Sequence, residues 1–333
     1  IEMPTMDGFQ FIEKLPRKDF AIVITTAYNE YAIKALKQEA IDYKAFKGLV
    51  DNLASANVDS ICAIGSTGLY PYLTREEKYE VAKLAVDHAK GIPVMAGVGA
   101  LRTYDVLKNV EAVQQAGVNA VLLAPVSYQV LNEEEVYGLY EAVSHEVSVP
   151  ICVYENPRVT NFTFSDDLYR RIGKLPNIGA IKIPGTPFAK SASMDISPSG
   201  AINSEGARRL SSLREIVPTH IAIGVSGDSF GAAGMSEGCD LWLSVIGGIF
   251  PRTVMRIIDA AQSGNAVDAQ AQSQALSGIW SMFARNGGGL RVVAAAAEIL
   301  GYCETPSLPA PFLPIDKNEY SELEHIITKL SLS

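Results

Sequence analysis

Residues 151–157 read ICVYENP, and residues 178–185 read IGAIKIPG. Each is a short apolar run rich in Ile and Val that closes on one functional side chain and is then stopped by a proline, the pattern of a fully buried strand leaving a sheet. In the second run Ala180 and Lys182 share one face of a strand, while Ile181 and Ile183 share the other. Isoleucines suit a face covered by helices, so Lys182 is expected on the opposite face, at the carboxyl end of its strand. In the first run Cys152 and Tyr154 likewise share a face.

Outward from this pair the same texture recurs. Candidate strands are residues 21–26, 60–64, 94–98, 120–124, 151–154, 178–183, 220–225 and 241–245. Amphipathic stretches lie between them; residues 75–89 carry apolar side chains at helical spacing behind a Thr74/Glu77 capping box. Strand and helix alternating, with strands apolar on both faces, means parallel strands covered on both sides. Eight such units predict an α/β fold, a closed (β/α)8 TIM barrel, in which chemistry sits at the carboxyl ends of the strands. Beyond the eighth strand only helices are expected (251–263, 266–285, 290–300 and, after a proline-rich linker at 305–314, 318–330), a C-terminal helical extension. Residues 188–204 are Ser-rich and read as an exposed, mobile insertion.

The chain has 333 residues, with 28 Lys and Arg against 37 Asp and Glu, a net charge of −9, and 48% apolar residues. An acidic balance without a basic block argues against a nucleic-acid or anionic-membrane partner. There is neither the run of roughly 18–20 apolar residues that a membrane span needs nor a secretory leader pattern, which reads as cytoplasmic. Cys62, Cys152, Cys239 and Cys303 are far apart and read as reduced, mostly buried thiols; no metal-ligand spacing and no cofactor motif is expected.

Three elements could carry chemistry. Burial disfavours the charged form of an amine, and a neutral amine is what attacks a ketone to form a Schiff base; Lys182 is the candidate, the alternative being a lysine that snorkels to solvent. Tyr154, at the same level of the preceding strand, is a candidate proton relay or else a packing residue at the rim. The GSTGLY turn at residues 65–70 could cradle a carboxylate with the amides and hydroxyls of Ser66 and Thr67, Gly65 allowing the turn, or be an ordinary connection after a strand.

Together these motifs resemble the dihydrodipicolinate synthase/N-acetylneuraminate lyase family, Schiff-base aldolases and lyases of 2-oxo acids. The likeness runs from about residue 42 to 314: GSTGL at 65–69, YENP at 154–157, and the strand lysine 28 residues after the tyrosine. The resemblance implies Lys182 as the imine-forming lysine, Tyr154 as the relay phenol, Ser66 and Thr67 as carboxylate binders and relay hydroxyl, a small 2-oxo acid such as pyruvate as substrate, and a homo-oligomer. There are departures. Ser127 stands where the synthases have a second tyrosine, leaving the adjacent Tyr128 as the candidate. Val159 stands where they have an arginine, with Arg158 one residue early. Glu155 and Leu69 replace the usual Asn and Glu. The first two differences argue against a role in lysine biosynthesis, and the last pair suggests a divergent branch.

Residues 1–43, with MPTMDG near the start and AIVITT at 21–26, resemble instead the second half of a response-regulator receiver domain, without the acidic residues such a domain uses to accept phosphate. The expected organisation is a receiver-like fragment at 1–43 that supplies the first barrel strand, a barrel at 44–255, and a helical region at 256–333, a chimera of two parallel α/β patterns. Two further readings stay open: a folded but catalytically inactive chimera, and a signalling or interaction protein acting through the receiver-like segment.

Overall fold

The structure, a computed structural model, describes residues 21–25, 41–189 and 204–332. Eight parallel strands close on themselves in chain order. They are β1 (Ala21–Thr25), β2 (Ser60–Cys62), β3 (Val94–Gly97), β4 (Ala120–Leu123), β5 (Ile151–Tyr154), β6 (Ile178–Pro184), β7 (Ala222–Ser226) and β8 (Leu241–Ser244). β1 closes the ring, pairing Val23 with Ser60 of β2 on one side and with Leu243 of β8 on the other.

The alternation read from the sequence separates two layers. Ile61, Val121, Val153, Ile181 and Ile223 face outward into a large core built with the covering helices, where Val81, Val110, Val143, Leu168, Leu213 and Ile257 meet them. Inside the barrel a smaller cluster collects Cys62, Met95, Leu122, Cys152, Tyr154 and Leu243. The helices start where local chemistry satisfies their free amides. Asp42 accepts from Ala45 N at 2.9 Å, and both Thr74/Glu77 and Asn132/Glu135 form reciprocal capping boxes ahead of the helices Arg75–His88 and Glu133–Glu146.

Several boundaries differ from the sequence reading. β2 ends at Cys62, because residues 63–64 already turn toward the Gly65 loop. β7 begins at Ala222 and runs to Ser226. The helix expected over 266–285 is two, Ala266–Ala275 and Ser277–Arg285. Ser273 O accepts from Leu276 N at 3.0 Å and from the Trp280 indole at 2.9 Å, in place of the amide four residues on that an unbroken helix would use. Beyond Pro251–Gln262 the extension therefore holds four helices, the last two being Leu290–Ile299 and Lys317–Leu330. Of the stretch expected to be an exposed insertion, Phe188 is instead buried in a short 3-10 helix, Thr186–Phe188, packed where a side chain at Gly206 would otherwise go. Residues 190–203 lie outside the described residues, as do 1–20 and 26–40 of the receiver-like segment.

Candidate active site

The pairing of β5 with β6 is irregular. Ile151 stands opposite Ile178, but Cys152 stands opposite Ala180, so Gly179 is an extra residue in β6. From there the ladder continues with Tyr154 opposite Lys182. Without the extra residue Tyr154 would face Ile181 and the two functional side chains would be out of step; the bulge re-aims the lysine, as such irregularities commonly do beside active sites.

The result is a close pair inside the barrel. Lys182 and Tyr154 are each 5% exposed, and Lys182 Nζ lies 4.0 Å from the centre of the Tyr154 ring, cation–π geometry. The Tyr154 hydroxyl accepts from Asn156 Nδ2 at 2.8 Å, which leaves its own proton free to be donated elsewhere. On the other flank Lys182 stands opposite Gly224, where the absent side chain leaves room for Leu241. Beneath lie the thiols of Cys62 and Cys152, both pushed up to about 12 by burial against the opposing pull of the Lys182 charge. Neither thiol is an available nucleophile at neutral pH.

The Gly65 turn follows β2 directly and is bent back on itself. Leu69 N donates to Ser66 O at 3.2 Å, and Leu69 takes a left-handed conformation (φ 54°) that is costly for a side chain of its shape. Ser66 and Thr67 are half-buried in this turn. The two remaining candidates are not brought to the lysine within one chain. Tyr128 is 88% exposed in the loop after β4. Arg158 is exposed after β5 and lies over the glycine-rich loop preceding Leu290–Ile299, where a β-carbon at Gly288 would come within 2.9 Å of its Nη2.

Glu155, which stands where the family usually has an asparagine, is 5% exposed and turns into the wall. Its carboxylate accepts from Phe164 N at 3.0 Å and from the Tyr169 hydroxyl at 2.5 Å, fixing the segment after β5.

Sequence reasoning overlooked Asp228, although its position just past β7 in SGDSF was a usable signal. It is 4% exposed and accepts from Trp242 Nε1 at 3.2 Å, Val245 N at 3.0 Å and Ile246 N at 2.9 Å, so it ties the end of β7 to the end of β8. Burial raises its carboxyl above the ordinary range, opposed by these hydrogen bonds and by the nearby Lys182 charge. Among the described residues there is no cluster of three metal-ligating side chains and no helix long and apolar enough to cross a membrane.

A lysine and a tyrosine paired across adjacent strands at the mouth of a closed barrel is a constellation that can be compared with known proteins. The sequence profile of the dihydrodipicolinate synthetase family matches residues 31–330. The chain belongs to this family. It is 28% identical over 232 residues to the 4-hydroxy-tetrahydrodipicolinate synthase of Dechloromonas aromatica, covering 69% of this chain and 73% of the relative. The corresponding enzyme of Phocaeicola vulgatus is 24% identical over 328 residues, 95% of this chain and 97% of that one. Among solved structures, dihydrodipicolinate synthase from Agrobacterium tumefaciens superimposes with a TM-score of 0.83 at 36% identity, over 93% of this chain and 98% of that one. A chloride-inhibited dihydrodipicolinate synthase from Acinetobacter baumannii, complexed with pyruvate, gives 0.77 at 24% identity over 95% and 99%, a likeness of fold.

Proposed function

We propose that the chain is a Schiff-base-forming aldolase, lyase or synthase acting on pyruvate or a related 2-oxo acid. The observation that carries this reading is the Lys182 amine held 4.0 Å from the Tyr154 ring inside the barrel. The neutral amine adds to the C2 carbonyl to give a carbinolamine, and the Tyr154 hydroxyl gives the proton with which the carbinolamine oxygen leaves as water. The Tyr154 phenolate so formed takes a C3 proton from the iminium to yield an enamine, whose C3 bonds to a carbonyl acceptor as the phenol returns that proton to the acceptor oxygen; the reverse sequence cleaves that bond. Water then releases the product and restores the lysine. Ser66 and Thr67, on the turn opened by Gly65, hold the carboxylate and extend the relay. Arg158 is the cation available for a second carboxylate. Family membership supports the reading of the chain as an aldolase-type enzyme. The test is incubation with pyruvate and a panel of sugar-derived 2-oxo acids followed by borohydride: one adduct per chain is expected on Lys182, and no adduct with any of them rejects the reading.

The working form in this reading is a homo-oligomer. Leu101 after β3, Tyr104 in the first turn of the helix Thr103–Gln115, and Tyr128 and Val130 after β4 are between 58% and 88% exposed, apolar side chains at the carboxyl ends of neighbouring strands suited to a second copy, which would also give Tyr128 a route to substrate. Sedimentation should show an oligomer that Tyr128→Asp weakens.

For the organisation of the chain we propose the division 1–43, 44–255 and 256–333, the first part being receiver-like in origin. Pairing of residues 21–25 with β2 and β8 supports its role as the first strand; the family match, which begins at residue 31, overlaps its end. Removing residues 1–27 should leave two apolar strand edges open and cause aggregation, whereas removing 1–15 should leave a weakened but soluble protein. Equal solubility and melting of the longer truncation and the full chain would make the segment an appendage.

A further inference from the structure

Tyr70 is a large side chain in a place that needs explaining. It ends the same turn that carries Ser66 and Thr67, yet it is 3% exposed. On β3 the inward position is occupied by Met95, a member of the interior cluster, so by alternation Gly97, the last residue of the strand, faces inward as well, and Gly99 follows two residues beyond the strand's end. The Tyr70 ring lies along them. A β-carbon at Gly97 would fall 3.1 Å from its Cδ1, and one at Gly99 would fall 2.8 Å from Cε2 and 3.0 Å from the hydroxyl. At Gly97 a β-carbon would first meet the Ile64 carbonyl oxygen at 2.1 Å, so that glycine lets the backbone of the turn approach; at Gly99 it is the Tyr70 ring itself that takes the space of the missing side chain. The turn is drawn to β3 at a second point as well: Gly97 N donates to Ile64 O at 3.0 Å, and the backbone closes on itself at Gly68, where a β-carbon would sit 3.1 Å from Ile64 Cα. At the end of the turn, the left-handed Leu69 delivers Tyr70 into its slot, with Pro71 following in the short 3-10 helix Tyr70–Tyr72.

We infer that Tyr70 is a positioning residue, its ring in the Gly97–Gly99 slot fixing the Ser66–Thr67 turn at the barrel mouth so that the turn can hold the carboxylate of a 2-oxo acid. The inference rests on the function proposed above and deepens it: Lys182 supplies the covalent bond, and the Tyr70 wedge sets the place of the anion. Burial raises the Tyr70 phenol above its ordinary range, with the nearby Tyr154 phenol adding to the effect, so the wedge stays neutral. At 2.8 Å from Cε2, a β-carbon at Gly99 would compete with the ring for the same space.

That competition gives the experiment, read as borohydride trapping of the full chain against pyruvate concentration, with thermal melting in parallel. A displacement of about 1 Å in a positioning element can cost on the order of 10²-fold, so Gly99→Ala and Tyr70→Ala are each expected to raise the half-saturating pyruvate concentration about 10-fold or more. The label reached at saturating pyruvate should hold, because Lys182 is untouched. Tyr70→Phe, which keeps the ring, should recover to within about threefold of the parent, and the double variant Gly99→Ala/Tyr70→Ala should be no worse than Tyr70→Ala alone, the non-additivity of two changes at one contact. A role in stability only would lower the melting temperature with the half-saturating concentration unchanged, and that result overturns the inference while leaving the proposed function standing, as does additivity in the double variant. Absence of trapping in the parent chain overturns the proposed function and this inference with it.

Discussion

The two faces of β6 do different work within one seven-residue strand. Ile181 and Ile183 face outward, 0% and 2% exposed, in a core shared with the helices. Ala180 and Lys182 face inward, where the neighbours are small or polarizable: Cys62, Cys152, Ala222 and the Tyr154 ring. The outer face is where burying apolar area stabilises the barrel, at roughly 25 cal/mol per Å². The inner face buries less and keeps a chargeable amine in place. Stability and chemistry are thus assigned to alternate residues of the same strand, and they should be separable by substitution.

The largest effect expected is from Lys182→Ala. Borohydride labelling and turnover should both vanish while the melting temperature holds or rises slightly, since a buried amine is removed. Equal labelling of this variant would break the division at its centre. Next, Tyr154→Phe retains the ring under the lysine and removes only the hydroxyl; turnover should fall by about 10²–10⁴-fold, the range for a positioned proton-transfer group. Unchanged turnover would return Tyr154 to a packing role. Ile181→Ala probes the opposite face and should cost about 2–5 kcal/mol of stability as a core truncation, with activity per folded molecule retained. Denaturant unfolding alongside steady-state rates tells the two faces apart.

The smallest effect concerns pH. The thiols of Cys62 and Cys152 ordinarily ionise near 9.0 but are pushed up to about 12 in the barrel. Between these values the unfolded chain gives up protons that the folded one keeps, so stability is lost as pH rises through this window, by about 1.4 kcal/mol per pH unit for each thiol. Below pH 9 the thiols contribute no slope. Cys152→Ala should remove one proton's worth of the alkaline slope measured by unfolding between pH 9 and 12. An unchanged slope would mean that the inner layer is wetter than its burial indicates.

Much of this was legible before the structure. The strand count, the helical cover and the opposite faces of Ile181 and Lys182 follow from the period of two and from β-branched runs, because burial on both sides demands apolar residues throughout. The capping box at Thr74 and Glu77 is equally local. The position of Asp228 just past β7 was legible, but its role was not, and neither was that of Tyr70, since each takes its meaning from partners distant in the chain: Val245 and Ile246 for one, Gly97 and Gly99 for the other. The break at Leu276 was hidden for a similar reason, since it follows from an indole that reaches a carbonyl seven residues back.

By itself, then, the sequence determined that parallel strands form, which residues of each strand share a face, and that one strand ends in a lysine with no charged neighbour in its run. It also suggested that Tyr154 ends the preceding strand at the level of this lysine, but only the tertiary structure decided the register that sets the two opposite each other. Alternation sets the direction of each side chain within a strand but says nothing of register between strands, and register here turns on the single extra residue, Gly179. A slip of one position exchanges the two faces of a strand. Which alignment is stable depends on how both apolar faces pack against the rest of the barrel, a property of the closed ring and not of any one segment.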